Sequence, residues 1–190
     1  MPHSSTVLFL TYWRGLQISP DKAPARGAFE PARLKTLIPQ MMMISCMDPG
    51  LRFRLSGGFL VALHGRELKD TSFAQLFKAP FRDPVRAAIA SSLRCEQPVL
   101  FSLQAPWITK DTETSQTETV KLEICICPMM NQYGKVDRFV GILQTCSPMP
   151  RDPRGLLGEY SLVSARLQDS NRESRAAHLN LVAAEGRRLA

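Results

Sequence analysis

The sequence predicts an α+β fold in which a five-stranded antiparallel sheet carries short helices on one face. Two observations lead to this prediction. Residues 51–56 alternate apolar and polar side chains, and after Gly57 and Gly58 the apolar spacing becomes helical. Three segments after residue 98 favour strands, and turn-forming residues separate them. Because successive strands joined by turns pair antiparallel, we expect one sheet with the helical segments packed on it.

The first part of the chain predicts two helices and a strand. A helix over residues 5–16 has serine and threonine caps at its start and carries Leu10 and Trp13 on its apolar face. Prolines bracket a second, short helix over residues 31–38. Residues 41–47 are apolar except for one serine, which favours a buried strand paired with the alternating one.

The remaining elements follow from glycine and proline positions and from periodicity. The short helix after the glycine pair ends at Gly65, which can adopt the left-handed conformation. A helical turn holds Phe73, and a longer helix opens at Pro84 and ends before Pro98. The last three strands are expected over residues 99–107, 120–129 and 136–145.

Composition favours a soluble globular protein. The chain has 190 residues, of which 44% are hydrophobic and 22% charged, and this suits one domain with extensions. The longest apolar run near the start, residues 7–10, is far shorter than the ~20 residues that span a bilayer, so we expect no membrane insertion. Five irregularly spaced cysteines without a secretory signal argue against a disulfide framework and favour a cytoplasmic protein.

We divide the chain into three parts. Residues 1–28 form the N-terminal helix and loop, and residues 29–147 form the α+β domain. Residues 148–190 begin as a proline-rich linker and continue as a basic tail with a helical pattern over residues 172–189. Because the predicted sheet is complete by Thr145, we expect the domain to stay folded without the tail.

The order of elements is similar to that of the PAS sensory fold, over residues 12–145. The lead-in at Tyr12, Trp13 and residues 29–39 resembles that of small stand-alone bacterial PAS proteins, which carry no output domain. Further matches lie around the central helix and in the closing hairpin. These matching residues are Gly58, Leu63, Gly65, Arg66, Leu68, Phe73, Glu123, Pro128, Gly134, Val136, Asp137, Arg138 and Gly141.

The resemblance implies a PAS-like domain that acts in signal transduction as a sensory or protein-interaction module. Its signal would pass to a partner protein. The cofactor stays unknown, because none of the cysteines lies in the Asn-Cys-Arg setting of flavin-binding relatives. Residues 80–95 also contain no histidine of the kind that ligates haem.

The corner between the sheet and the short helices is the candidate ligand site. Its residues either fill a plain core or line a pocket, and their apolar character implies a small apolar ligand. His64 is a further, weaker candidate as a ligating residue. The candidate pocket residues are Phe53, Leu55, Phe59, Leu63, Phe73, Leu76, Phe77, Leu122 and Ile124.

The sequence shows no pattern that indicates catalysis or metal binding. The serines lack a paired histidine and aspartate, and no glycine-rich phosphate loop is present, so we expect no enzymatic activity. Cys125 and Cys127 project from the same strand face, but a tetrahedral zinc site needs four donors. A half-buried sheet face is the expected environment of both cysteines.

Two kinds of macromolecular partner remain. Leu10 and Trp13 are candidates for a homodimer interface, since a helix ahead of a small sheet can keep part of its apolar face uncovered. The net charge of +7 raises the alternative of a nucleic-acid-associated regulator, which the scattered basic residues do not favour. That alternative would use the basic C-terminal residues Arg166, Arg172, Arg175, Arg187 and Arg188.

Overall fold

The computed structural model describes residues 1–46, 51–109 and 118–168. Its α-helices are α1 (Ser4–Gly15), α2 (Gly58–His64) and α3 (Ala79–Cys95). Shorter 3-10 segments cover Arg26–Ala28, Pro31–Gln40 and Phe73–Leu76. The strands are β1 (Met41–Ser45), β2 (Phe53–Ser56), β3 (Val99–Ile108), β4 (Thr119–Met130), β5 (Val136–Thr145), β6 (Leu156–Leu157) and β7 (Ser161–Leu167). The predicted α+β class with an antiparallel sheet and short helices is confirmed.

The predicted strands lie side by side in the order β2, β1, β5, β4, β3, and neighbours pair antiparallel. The expectation that the sheet is complete by Thr145 is wrong, because β6 and β7 both pair with the far edge of β3. In this pairing Phe101 lies opposite Ala165, and Gln104 lies opposite Ser161. An open strand edge exposes unpaired backbone groups, and the chain covers this one itself.

Strands of this sheet therefore lie both before and after residue 148, where the domain boundary is predicted. The division of the chain at that residue stays a prediction. The predicted helix over residues 172–189 falls outside the described residues. So do the turn over residues 48–50 and most of the loop between β3 and β4.

The turn from β2 into α2 depends on a glycine. A side-chain carbon at Gly57 would collide with the backbone carbonyl oxygens of Ile38 and Pro39, whereas one at Gly58 would meet nothing within 4 Å. The predicted close approach of a neighbouring element therefore falls on the first glycine. At the other end of α2, Gly65 adopts a left-handed φ of 62°, as predicted for a helix stop.

The helix α3 begins at Ala79, five residues before the predicted start at Pro84. Pro80 occupies its first turn, where a missing N–H costs no helical hydrogen bond. Pro84 lies in the second turn and removes one such bond. The predicted helix start at Pro84 is therefore wrong, and Pro80 is the proline of the first turn.

Both faces of the sheet are covered. We call the side packed under α2, α3 and the Phe73–Leu76 segment the inner core, and the side covered by α1 and the Pro31–Gln40 segment the outer core. The inner core contains buried residues such as Phe53, Leu60, Leu63, Phe73, Phe77, Phe101, Leu122, Ile124, Tyr160 and Leu162. The outer core contains Phe9, Leu10, Trp13, Leu34, Leu37, Cys125, Cys127 and Val140, among others.

None of the helices within the described residues has the length and apolar character needed to cross a membrane.

Candidate ligand-binding core

Four fully buried phenylalanines form the centre of the inner core. Phe73 is the common neighbour: its ring centroid lies 5.8 Å from that of Phe53, 5.4 Å from that of Phe77 and 6.3 Å from that of Phe101. These rings come from β2, from the segment between α2 and α3, and from β3. Tilted and edge-on ring pairs of this kind are favourable packing arrangements. The result is an aromatic cluster between the sheet and the helical segment.

Most of the predicted pocket residues come together here. Phe59 is partly buried against this core, while Leu55 is 57% exposed, so its assignment to the pocket is wrong. The predicted residues that lie buried in the inner core are Phe53, Leu63, Phe73, Leu76, Phe77, Leu122 and Ile124.

A β-bulge explains the error at Leu55. Ile44 of β1 pairs with Phe53, and the preceding residue of β1, Met43, pairs with Leu55. Arg54 is therefore an extra residue of β2 in the ladder. One extra residue reverses the alternation of faces beyond it. Phe53 therefore points into the core and Leu55 points away from it. The signal for this change lies in the pairing with β1 and is absent from the local sequence.

A histidine and a tyrosine form the polar contact at the border of the aromatic cluster. Tyr160 Oη lies 2.7 Å from His64 Nε2, and His64 Nδ1 lies 2.7 Å from the carbonyl oxygen of Leu60. A carbonyl oxygen only accepts, so Nδ1 carries the proton and Nε2 accepts from the tyrosine hydroxyl. Burial lowers the pKa of His64, and burial raises the pKa of Tyr160, so both are neutral at pH 7.

Tyr160 is also fixed through its backbone and ring. Its N–H donates to the carbonyl of Leu76 at 2.7 Å, and its own carbonyl accepts from the N–H of Lys78 at 3.0 Å. Its ring meets that of Phe77 edge-on, with centroids 5.5 Å apart. Sequence reasoning missed this residue entirely, because its contacts are with segments about 80 or more positions earlier in the chain.

Tyr160 belongs to a segment, residues 152–167, that we call the arm. At its start, Trp107 Nε1 donates to the carbonyl of Asp152 at 3.0 Å, and the indole packs so closely on Gly155 that a side-chain carbon there would overlap it. The side chain of Leu156 lies against Gly65 at the end of α2. The arm thus contacts β3, the end of α2 and the aromatic cluster.

Comparison with known proteins identifies the domain. A family model described as a PAS domain matches residues 1–144. The chain belongs to the PAS-domain family. The predicted resemblance is therefore confirmed, and membership of this family supports a role as a sensory signalling module. The family match includes α1 and ends before the arm, so the arm lies outside the matched residues.

Several solved structures are similar to this PAS protein at low identity. A light-oxygen-voltage domain studied with a flavin analogue is 14% identical, with a TM-score of 0.46, and the match covers 61% of this chain and 83% of that one. The Rhodobacter sphaeroides light-oxygen-voltage protein is 12% identical, with a TM-score of 0.41 and coverages of 63% and 69%. A PAS domain from Colwellia psychrerythraea is 10% identical, with a TM-score of 0.42 and coverages of 60% and 93%. No curated protein shows a significant match.

The predicted dimer-interface residues lie inside this PAS protein. Leu10 is 4% exposed and Trp13 is fully buried, and Trp13 Nε1 donates to the carbonyl of Pro128 at 3.1 Å. Both side chains pack on the outer face of the chain's own sheet, so their assignment to an interface between copies is wrong. The opposite side of α1 is exposed instead and carries Val7 and Leu8.

The two cysteines of β4 lie beneath α1. Cys125 and Cys127 are fully buried in the outer core, not on a half-buried face, and their Sγ atoms are 3.9 Å apart. Burial raises the pKa of the Cys127 thiol. Among the described residues, no group of three or more histidine, cysteine or acidic side chains is arranged to hold a metal ion.

The basic C-terminal residues fall largely outside the described part of the chain. Arg166 lies in β7 and is exposed, whereas the other four arginines of that set follow residue 168. The structure gives no specific support to the nucleic-acid alternative.

Proposed function

We propose that this PAS protein is a cytoplasmic sensor that binds a small apolar ligand in its inner core and signals through a partner protein. The observation that carries the proposal is the aromatic cluster centred on Phe73. It lies between the sheet and the helical segments of a PAS domain, with every ring fully buried. The family supports the sensory role, and the chemistry of the cluster supports the class of ligand.

The inner core offers mainly apolar contacts. Its buried members are aliphatic or aromatic, and Tyr160 contributes a hydroxyl that is already bonded to His64. A ligand with several polar groups would lose hydrogen bonds to water without replacing them, which costs free energy. A small apolar molecule avoids that penalty and gains from burial.

Leucine-to-tryptophan substitution tests the ligand. If Leu63 borders space that a ligand fills, Leu63→Trp should occupy it at small cost and exclude the ligand. Leu37→Trp in the outer core, also 4% exposed, is the matched control and should lose about 1–3 kcal/mol from overpacking. Native mass spectrometry should find a bound small molecule in wild type and none in Leu63→Trp. Bare wild-type protein, with both tryptophan variants equally destabilised, would leave Leu63 as plain core.

We propose in addition that the protein forms a homodimer through the outward side of α1. Val7 is 48% and Leu8 is 51% exposed, and α1 has no charged residue before Arg14. Light scattering should give the mass of two chains for wild type and of one chain for the double variant Val7→Glu, Leu8→Glu. An unchanged dimer in this variant would place the interface elsewhere.

A further inference from the structure

The arm is attached to the PAS domain through a hydrogen-bond chain that works in one protonation state. Leu60 O accepts from His64 Nδ1, and His64 Nε2 accepts from Tyr160 Oη. Neutral imidazole offers one donor and one acceptor, which matches these two partners. A protonated ring has two donors and no acceptor, so the hydroxyl hydrogen of Tyr160 would lose its partner inside a buried site.

We propose that the arm is a proton-sensitive latch, docked while His64 is neutral and released when His64 takes up a proton. His64 is partly exposed, so protons from solvent can reach it, whereas Tyr160 is fully buried and cannot turn its hydroxyl to water while the arm is docked. An unpaired buried donor is costly, and release of the arm removes that cost.

Among the surrounding charges, the Arg66 cation opposes protonation of His64, and the Glu159 carboxylate is already paired. Arg66 follows α2, and its cation opposes a second positive charge on His64. The carboxylate of Glu159, next to Tyr160, accepts from Arg82 at 3.0 Å and so has a cation of its own. Other charged residues on neighbouring segments are Lys35, Glu67 and Lys78, all of them exposed.

Release would expose two features of β3. The outer edge of the strand would lose its pairing with β7, and the indole of Trp107 would lose Gly155 and the carbonyl of Asp152. A free strand edge can accept a strand from another protein by backbone pairing. The latch therefore links protonation of one histidine to access to a partner-binding edge.

The sign and size of the effect follow from linkage. The docked state favours the neutral ring, so acid favours release. The ordinary pKa of histidine is 6.5, and in the docked state it is lowered. Below pH 6.5 the docked-to-released ratio should therefore fall by up to tenfold per pH unit, until the lower pKa of docked His64 is reached.

Hydrogen exchange of the full chain measures this ratio directly, because the protection of an amide reports how often its segment opens. After correction for the intrinsic exchange rate, amides of Tyr160, Lys78 and β7 should lose protection by up to tenfold per pH unit below 6.5. Amides of β4 and β5 should not. The variant His64→Gln should abolish the pH dependence, and His178→Gln, which removes a different histidine, should keep it.

Two outcomes would overturn the latch. One is an equal pH dependence in wild type and His64→Gln. The other is an equal loss of protection in β4 and β5, which would show unfolding of the whole domain. Tyr160→Phe provides a second test should His64→Gln fail to fold, since it keeps the ring and removes the hydroxyl. By NMR the His64 ring should titrate at a higher pH in this variant than in wild type, and an unmoved titration would refute the proposal.

Discussion

Replacing Trp13 by alanine tests whether α1 is part of the folded core of this PAS domain. The side chain is fully buried in the outer core, and its indole N–H donates to the carbonyl of Pro128 at 3.1 Å. An interface helix would lose contacts with another copy on this change. A core helix loses contacts within its own chain.

The expected loss is large. Truncating a buried tryptophan to alanine costs about 3–5 kcal/mol, because apolar burial is lost and a cavity remains. In a protein of this size 1 kcal/mol lowers the Tm by about 2–4 °C, so Trp13→Ala should lower it by roughly 6–20 °C. Trp13→Phe keeps most of the ring contacts but removes the partner of the buried Pro128 carbonyl, and should cost about 1–3 kcal/mol.

Urea and thermal unfolding followed by circular dichroism give these values, and light scattering under the same conditions gives the mass. Lys35→Ala, at an exposed position of the Pro31–Gln40 segment that also covers the outer core, is the control and should change stability by less than about 0.5 kcal/mol. A cost of less than about 1 kcal/mol for Trp13→Ala would contradict a core position of α1. So would a reduced mass at unchanged stability of the single chain.

Three further predictions follow from the fold. Removing residues 150–190 should lower the Tm or cause aggregation, because it uncovers the β3 edge. Removing residues 169–190 leaves the arm in place and should have a smaller effect on the Tm in the same melts. Gly57→Ala should cost about 1–3 kcal/mol in urea unfolding, because its new carbon meets backbone oxygens, whereas Gly58→Ala should be nearly neutral. Burial and the Asp137 carboxylate raise the pKa of Cys46 to about 12, so mass spectrometry at pH 8 should show iodoacetamide labelling there at least tenfold slower than at the exposed cysteines.

The centre of the PAS fold could be predicted because its signals are local. The break from alternating to helical spacing at residues 57 and 58, and the left-handed glycine at position 65, depend on a few neighbouring residues. The turn between β4 and β5 is equally local, with Gly134 at a φ of 73° and its N–H donating to Asn131 O at 3.1 Å. Backbone conformation of this kind is readable from residue type.

The errors arise where structure depends on distant partners. The side chain of Leu55 changes face because of how β2 pairs with β1, and β7 carries a bulge of its own between the partners of Ser102 and Leu103. Each bulge breaks the alternation on which strand prediction depends. The bulge in β7 breaks the alternation within residues 161–167, so their sequence does not show a regular strand pattern.

The residue pattern on the outward face of β4 carries a signal for the position of α1. The outward face of β4 begins with Lys121 and Glu123, which favour solvent, and continues with Cys125, Cys127 and Met129, which do not. The apolar half of this face needed a cover, and α1 supplies it. Trp13 therefore packs inside the chain, against the apolar half of this face.

The proposed ligand site and the arm share one buried core, and this couples the two proposals. Tyr160, Leu162 and Phe73 belong to one buried core, so a molecule seated beside Phe73 changes the contacts that hold the arm. Coupling between two equilibria is reciprocal in free energy. If the ligand stabilises the docked arm, it must lower the pH at which the arm is released, and by the same factor acid must weaken ligand binding. If it destabilises the docked arm, both effects reverse sign. Measuring the pH dependence of arm protection with and without the ligand therefore decides whether the sensor core and the strand edge act as one device.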